Sequence, residues 1–135
     1  MYVFEYADSY SFEYLRKHDI HILDEMLYKK IRDNEVIIAK KDDKIIGWLR
    51  YNYFWDSIPF LNMLVIDEKY RGNGIGKDLV RFFEKEMKAN GYNIIMTSSL
   101  SNELAQHFYR KLSYKDSGSL IIEDEALEII FTKKL

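Results

Sequence analysis

Glycines at alternate positions, Gly72, Gly74 and Gly76, punctuate the segment Arg71-Gly72-Asn73-Gly74-Ile75-Gly76. A loop that holds a pyrophosphate must bring several backbone N–H groups close to oxygen atoms. Glycine permits that approach sterically, and a helix starting directly after the loop adds a favourable dipole. An amphipathic stretch does follow at once, with Ile75, Leu79, Phe82, Phe83 and Met87 on one face and Lys77, Asp78, Arg81, Glu84, Lys85 and Lys88 on the other. The chemistry indicated is recognition of a phosphorylated group, and spacing narrows its kind. A dinucleotide fingerprint beginning at Gly72 needs a further glycine where Lys77 stands. A P-loop needs glycine in place of Arg71 and Ser or Thr in place of Asp78. Neither fits.

The rest of the chemical inventory is sparse. The chain has no cysteine, which excludes disulfides, thiolate metal sites and cysteine nucleophiles together and makes a reducing cytoplasm the expected setting. His18, His21 and His107 have no mutual spacing that makes a metal site, so no metal is expected. A formal net charge of −2 offers no global attraction to nucleic acid or to an anionic membrane, and neither is an expected partner. The first residues lack a basic segment followed by an apolar one, and no later run approaches the roughly 18 apolar residues of a membrane span. With 135 residues, 47% hydrophobic and 31% charged, the composition is that of one soluble domain spanning residues 1–135.

The elements that must position the loop follow from pattern. Tyr2 to Tyr6 has strand composition, and Asp8-Ser9 supply N-caps for a helix from about Tyr10 to His18. Ile22, Leu23, Met26, Leu27 and Ile31 recur at helical spacing and predict a second helix to Arg32 with that stripe in the core. Val36–Ala39 and Ile45–Tyr53 flank the turn Lys41-Asp42-Asp43-Lys44 and form a hairpin. From Pro59, the apolar run Phe60–Ile66 predicts a central strand that feeds the glycine loop. After the helix that Asn90-Gly91 stops, Tyr92–Thr97 reads as a strand. Ser101-Asn102 caps a short helix with Leu104, Ala105, Phe108 and Leu112 facing inward. Strands at about Leu120–Ile122 and Leu127–Thr132 close the chain around Glu123-Asp124-Glu125.

Beyond the loop stands Asn102-Glu103-Leu104-Ala105-Gln106-His107-Phe108-Tyr109-Arg110-Lys111-Leu112-Ser113-Tyr114. This segment, paired with Arg-x-x-Gly-x-Gly between an apolar strand and an amphipathic helix, resembles the GNAT superfamily of N-acetyltransferases. There the second segment reads Asn-x-x-Ala-x-x-Phe-Tyr-x-x-Leu-Gly-Phe. The stretch Leu64-Val65-Ile66-Asp67-Glu68-Lys69-Tyr70-Arg71 is similar to the family's strand end, with Ile66 where valine is usual. The match runs from about Phe60 to Tyr114. It departs at Glu68, which replaces a common proline, and at Ser113-Tyr114, which replaces Gly-Phe.

The resemblance implies an α+β fold of the α/β type. Its central twisted sheet, mixed but mostly antiparallel, has about seven strands flanked by about four helices, in the order β-α-α-β-β-β-α-β-α-β-β. It implies acetyl-CoA as cosubstrate and direct transfer to a primary amine in one ternary complex. Backbone amides from Arg71 through Gly72, Asn73, Gly74, Ile75 and Gly76 to Lys77 then hold the pyrophosphate, with Lys77 adding charge. Main-chain groups of Leu64, Val65 and Ile66 meet the pantetheine arm, the Leu64 amide faces the oxyanion, and Asn102 contacts the arm. Tyr109 protonates the departing thiolate. A phenol with a reference pKa of about 10, above a thiol's roughly 8.5, is protonated at neutral pH and able to do so.

The general base is not announced. Thr97, Phe60 and Asn62 occupy positions where relatives place bases, leaving Asp56, in the turn before the central strand, or a water relay. The acceptor is an amine-bearing small molecule or peptide. Tyr51, Tyr53, Trp55 and the acidic turn Glu123-Asp124-Glu125 are weighed as its receivers against plain sheet packing and a solvated turn. The family leaves room for a homodimer. The competing functions are a non-catalytic coenzyme A-binding sensor or interaction module, and transfer of a longer acyl group.

Overall fold

Aromatic and β-branched residues at Tyr2–Tyr6 form strand β1, which pairs antiparallel with β2, Val36–Lys41. The structure, a computed structural model, describes residues 1–124 and 126–135. Between these strands lie a short 3-10 turn at Ser9–Ser11 and helices α1, Phe12–His18, and α2, Asp24–Arg32. Asp8 caps the first turn as expected, its carboxylate accepting from the amides of Tyr10 and Ser11 at 3.1 and 3.2 Å. Strand β3, Lys44–Phe54, returns from β2 through Asp42 and Asp43, both left-handed with φ of 50° and 63°, the geometry of a tight hairpin.

Strand β4, Ile58–Ile66, leads into the glycine loop and helix α3, Ile75–Ala89. Strand β5, Ile94–Leu100, helix α4, Ala105–Lys111, and strands β6, Lys115–Leu120, and β7, Glu128–Lys134, complete the chain. The sheet has seven strands in the order β1-β2-β3-β4-β5-β7-β6. The β4–β5 pair is parallel, while β1–β2, β2–β3, β5–β7 and β6–β7 are antiparallel. The α+β architecture, its element order and its mixed sheet are those the sequence implied.

Contacts divide the chain into two compact units, Met1–Tyr51 with Met63–Phe83, and Asn52–Asn62 with Glu84–Leu135. In the first, strand alternation sends Val36, Ile38 and Trp48 against Leu15, Leu27 and Ile31 of the first two helices. Ile37, Leu49 and Tyr51 point the other way, and the Tyr51 ring meets Phe83 of α3 at 4.9 Å. Beneath α1, Arg50 donates to Asp19 at 2.7 Å with both side chains buried, which fixes the end of that helix to β3. In the second unit, Glu84 accepts from Tyr114 at 2.8 Å and from Lys133 at 3.0 Å, tying α3 to β7 and to the segment after α4. Arg110 of α4 reaches Asp116 at 3.0 and 2.9 Å.

Four local expectations are corrected. Helix α2 begins at Asp24 rather than Ile22, because Leu23 is the extended residue at its cap, 80% exposed, and Met26 is also exposed. The inward stripe is Leu27, Lys30 and Ile31, with the Lys30 ammonium drawn in by the Tyr51 carbonyl at 2.6 Å and Glu35 at 3.0 Å. Strand β5 starts later and runs past Thr97 to Leu100. Helix α4 starts at Ala105, so Asn102 lies in the turn before it and is no cap. Leu104 and Ala105 are exposed, and Tyr109 is the residue turned inward. The sixth strand is the polar Lys115–Leu120 rather than Leu120–Ile122. It is exposed at every residue and bulged between Asp116 and Gly118, so it carries no apolar alternation to read.

Candidate functional site

The loop is built by the end of β4. The Asp67 amide donates to the Ile46 carbonyl at 2.7 Å, and the Asp67 carboxylate caps the short turn Glu68–Tyr70 through the Lys69 amide at 3.2 Å. Glu68 opens that turn, a position whose N–H needs no internal partner, so the family's usual proline is dispensable there. The Arg71 Nε donates back to the Ile66 carbonyl at 2.9 Å, and Asn73 Nδ2 donates to the Tyr70 carbonyl at 3.2 Å. Gly72 and Gly74 are left-handed, with φ of 80° and 78°, and a side chain built on either meets nothing within 4 Å. Their absence of Cβ therefore serves conformation and leaves the backbone open on its outer side.

Helix α3 is opened by the Asp78 amide donating to the Gly74 carbonyl at 3.0 Å. The amides of Ile75, Gly76 and Lys77 precede any intrahelical acceptor and face outward with the positive end of the helix dipole. Ile75, 2% exposed, anchors this turn in the core. Gly47 of β3 is a contributor that sequence reasoning missed. A Cβ there would stand 2.8 Å from the Val65 carbonyl oxygen and 2.7 Å from Ile66 Cδ1. The lone glycine within a strand pattern was the available signal. Leu64, Val65 and Ile66 themselves are half-buried on the last part of β4.

The second group of residues gathers around Thr97. Strands β4 and β5 pair through Phe60↔Met96 and Leu61↔Thr97, and the fully buried Thr97 hydroxyl donates to the Leu61 carbonyl at 3.0 Å. Tyr109 is buried, 5% exposed. Its ring is boxed by Phe108, Tyr114 and Phe131 at centroid distances of 5.2, 5.5 and 6.2 Å. Burial pushes the Tyr109 phenol up to about 12, with the Thr97 hydroxyl acting in the opposite direction.

Other expected residues are placed less suggestively. Asp56 sits exposed at the tip of the β3–β4 hairpin, left-handed with φ of 59°. Asn102 is exposed in the turn after β5. Tyr51 is buried and its hydroxyl donates to the Asn34 carbonyl at 2.8 Å, a packing role rather than a receiver of cations. Tyr53 stacks near Tyr92 at 5.7 Å, and Trp55 is 78% exposed beside Phe54. Glu123 and Asp124 are exposed, and Glu125 lies outside the described residues. The three histidines are exposed, and among the described residues no three His, Asp or Glu side chains gather as metal ligands.

The model of the acetyltransferase (GNAT) family matches residues 3–114, which includes both the glycine loop and the Tyr109 helix. The chain belongs to the acetyltransferase (GNAT) family. Among its relatives, an uncharacterised N-acetyltransferase of Methanocaldococcus jannaschii is 29% identical over 101 residues, 72% of this chain. The match spans 64% of that relative's length. A GNAT acetyltransferase structure from Bacillus cereus shares the fold with a TM-score of 0.82 at 23% identity, covering 99% of this chain and 97% of that one. Naa50 of Arabidopsis thaliana, solved in complex with the bisubstrate analogue CoA-Ac-MVNAL, superposes with a TM-score of 0.79 at 17% identity over 99% of both chains. Within this GNAT chain, Ser113 takes the left-handed conformation, φ 71°, that the family's usual glycine adopts freely. Tyr114, in the place of the usual phenylalanine, uses its extra hydroxyl on Glu84.

Proposed function

We propose that this chain is an acetyl-CoA-dependent N-acetyltransferase that moves the acetyl group to a primary amine by direct attack in one ternary complex. The observation that carries the proposal is Tyr109, a buried phenol on the second family segment that stays protonated well past neutral pH. The backbone amides of the loop from Arg71 to Lys77 suit the pyrophosphate, the Arg71 amide sharing itself with the Glu68 carbonyl at 3.3 Å. The main chain of Leu64, Val65 and Ile66 takes the pantetheine arm, with the Leu64 amide donating to the oxyanion and Asn102 contacting the arm. The Arabidopsis neighbour's coenzyme A-based ligand supports that donor.

In the reaction the amine nitrogen bonds to the thioester carbonyl carbon, the C–S bond breaks, and the proton lost by nitrogen ends on sulfur. With the phenol at about 12 and a thiol at about 8.5, complete transfer from Tyr109 to a free thiolate lies about 3.5 units, or roughly 5 kcal/mol, uphill. Tyr109 therefore serves by donating a hydrogen bond to sulfur as the bond breaks, and nitrogen supplies the proton that remains there. Asp56 or a water relay takes that proton from nitrogen.

Thr97, at a position where some relatives carry a carboxylate, favours one rival, a coenzyme A-binding sensor. A panel of small amines, polyamines, amino acids and peptides, assayed for free thiol release, decides between them. Turnover with an acceptor supports the transferase. A rise in melting temperature with acetyl-CoA but no acceptor in the panel establishes the sensor, and no rise at all refutes the donor site.

A further inference from the structure

Where β1 hands over to α1, and α2 ends, the chain leaves a cleft of about 460 Å³ that the proposed transfer chemistry does not use. Its floor is apolar. Ala7 and Ile31 are buried there, and Phe12 of α1 packs against the same cluster. The Tyr28 ring of α2, 60% exposed, meets Phe12 edge to face at 6.1 Å and 86°. Two opposite charges complete the lining. Asp8 takes its three local bonds, from the Tyr10 and Ser11 amides and the Ser11 hydroxyl, all on Oδ1, so Oδ2 is uncommitted. Arg32 gives Asp33 its Nε at 3.0 Å and Nη2 at 3.3 Å, which leaves three of its five N–H donors for another acceptor.

A concave apolar surface of this size with a few polar groups at fixed places is the usual form of a small-molecule site. We propose that the cleft binds a free amino acid with an aromatic side chain, its ammonium at Asp8 Oδ2, its carboxylate at the spare donors of Arg32 and its ring over Ala7, Phe12 and Ile31. The charges select a zwitterion, because each ligand charge meets its opposite and neither lining group is stripped of water without a partner. The floor selects the ring. An aromatic side chain buries about 150–250 Å² and finds in Phe12 and Tyr28 the edge and face contacts that such rings prefer, which an aliphatic side chain does not use. None of the lining residues belongs to the proposed donor site, so the inference stands apart from the acetyltransferase reading.

The test is a titration of the 15N-labelled full chain with L-phenylalanine, phenethylamine, 3-phenylpropionate and L-leucine, read at the backbone amides of Tyr28, Ile31 and Asn34. L-Phenylalanine shifts them with a Kd of about 1–10 mM, and the two single-charge analogues and leucine each bind at least about threefold more weakly. Asp8→Asn keeps an oxygen for the cap and removes the charge. It weakens phenylalanine about three- to fivefold and does not weaken 3-phenylpropionate. Arg32→Gln, at a side chain 62% exposed, weakens phenylalanine to a similar degree and does not weaken phenethylamine. If one variant loses the dispersed spectrum of the folded chain, the other decides alone, and the wild-type ligand series needs neither. Four results overturn the proposal: no shift with phenylalanine at about 20 mM, well above the expected Kd; analogues or leucine that bind as tightly; variants that change every ligand alike; and shifts at these amides that depend on protein concentration without ligand, which put a second copy of the chain in the cleft.

Discussion

Replacing Tyr109 with phenylalanine removes a single oxygen from a ring whose neighbours stay in place. The structural cost is small because Thr97 keeps its bond to the Leu61 carbonyl; about 1 kcal/mol or less is expected, a shift of a few degrees in melting temperature. The catalytic cost is larger. A hydrogen bond to a developing thiolate contributes about 1.5–3 kcal/mol, so kcat falls roughly ten- to a hundredfold while KM for acetyl-CoA is unchanged. The assay is free thiol release with a saturating amine, repeated from pH 7 to 10. Tyr109 must be protonated to donate, and burial raises its pKa from 10.0 to about 12, so it contributes no falling limb in that range. Above it, the native protein keeps a proton that the unfolded chain releases. Stability tied to Tyr109 is therefore complete below pH 10 and falls by about 2–3 kcal/mol as pH rises to 12, a loss absent from Tyr109→Phe. A limb centred near pH 10 in wild type that disappears in Tyr109→Phe would refute the buried-phenol argument, as would a kcat equal to wild type.

Further outcomes follow from backbone and burial. Gly74→Ala forces a residue with a Cβ into φ 78°, at about 1–2 kcal/mol, and abolishes the rise in melting temperature given by acetyl-CoA. Ser113→Gly relieves φ 71° and raises stability by about 1 kcal/mol in urea unfolding, with activity unchanged. Asp19→Asn leaves the Arg50 charge buried without its partner and costs about 3–5 kcal/mol, whereas replacing both residues with apolar ones of similar volume costs less, which calorimetry on the three proteins separates.

The parts legible in the sequence are those where one physical requirement dominates. Helix α3 announces itself because Ile75, Leu79, Phe83 and Met87 share a buried face, and the loop before it because Gly72 and Gly74 meet a need for positive φ. The Asp42-Asp43 hairpin and the Asp8 cap are equally local. What escaped depends on partners distant in sequence. Lys30 turns inward only because Tyr51 and Glu35 offer it oxygen, displacing the expected stripe through Leu23 and Met26. Strand β6 is polar and exposed, so no alternation marks it. The bond from Thr97 to Leu61 spans thirty-six positions, and the approach of Val65 to Gly47 shows in the sequence as nothing more than a glycine in a strand. In the fourth helix the helical wheel placed Tyr109 at the margin of the buried face. The later start of α4 puts it inside.

The loop from Arg71 to Lys77 presents amides, and amides are not encoded by side chains. On the proposed donor site, recognition rests on the glycine dihedrals more than on the exposed Lys77 side chain, while Asn73 helps to hold the loop through the Tyr70 carbonyl. A laboratory library is therefore expected to retain binders when position 77 is randomised, whereas the same diversity at Gly72 or Gly74 empties the pool. For an engineer seeking a new acceptor, the proposed donor loop is a fixed chassis with few constraints.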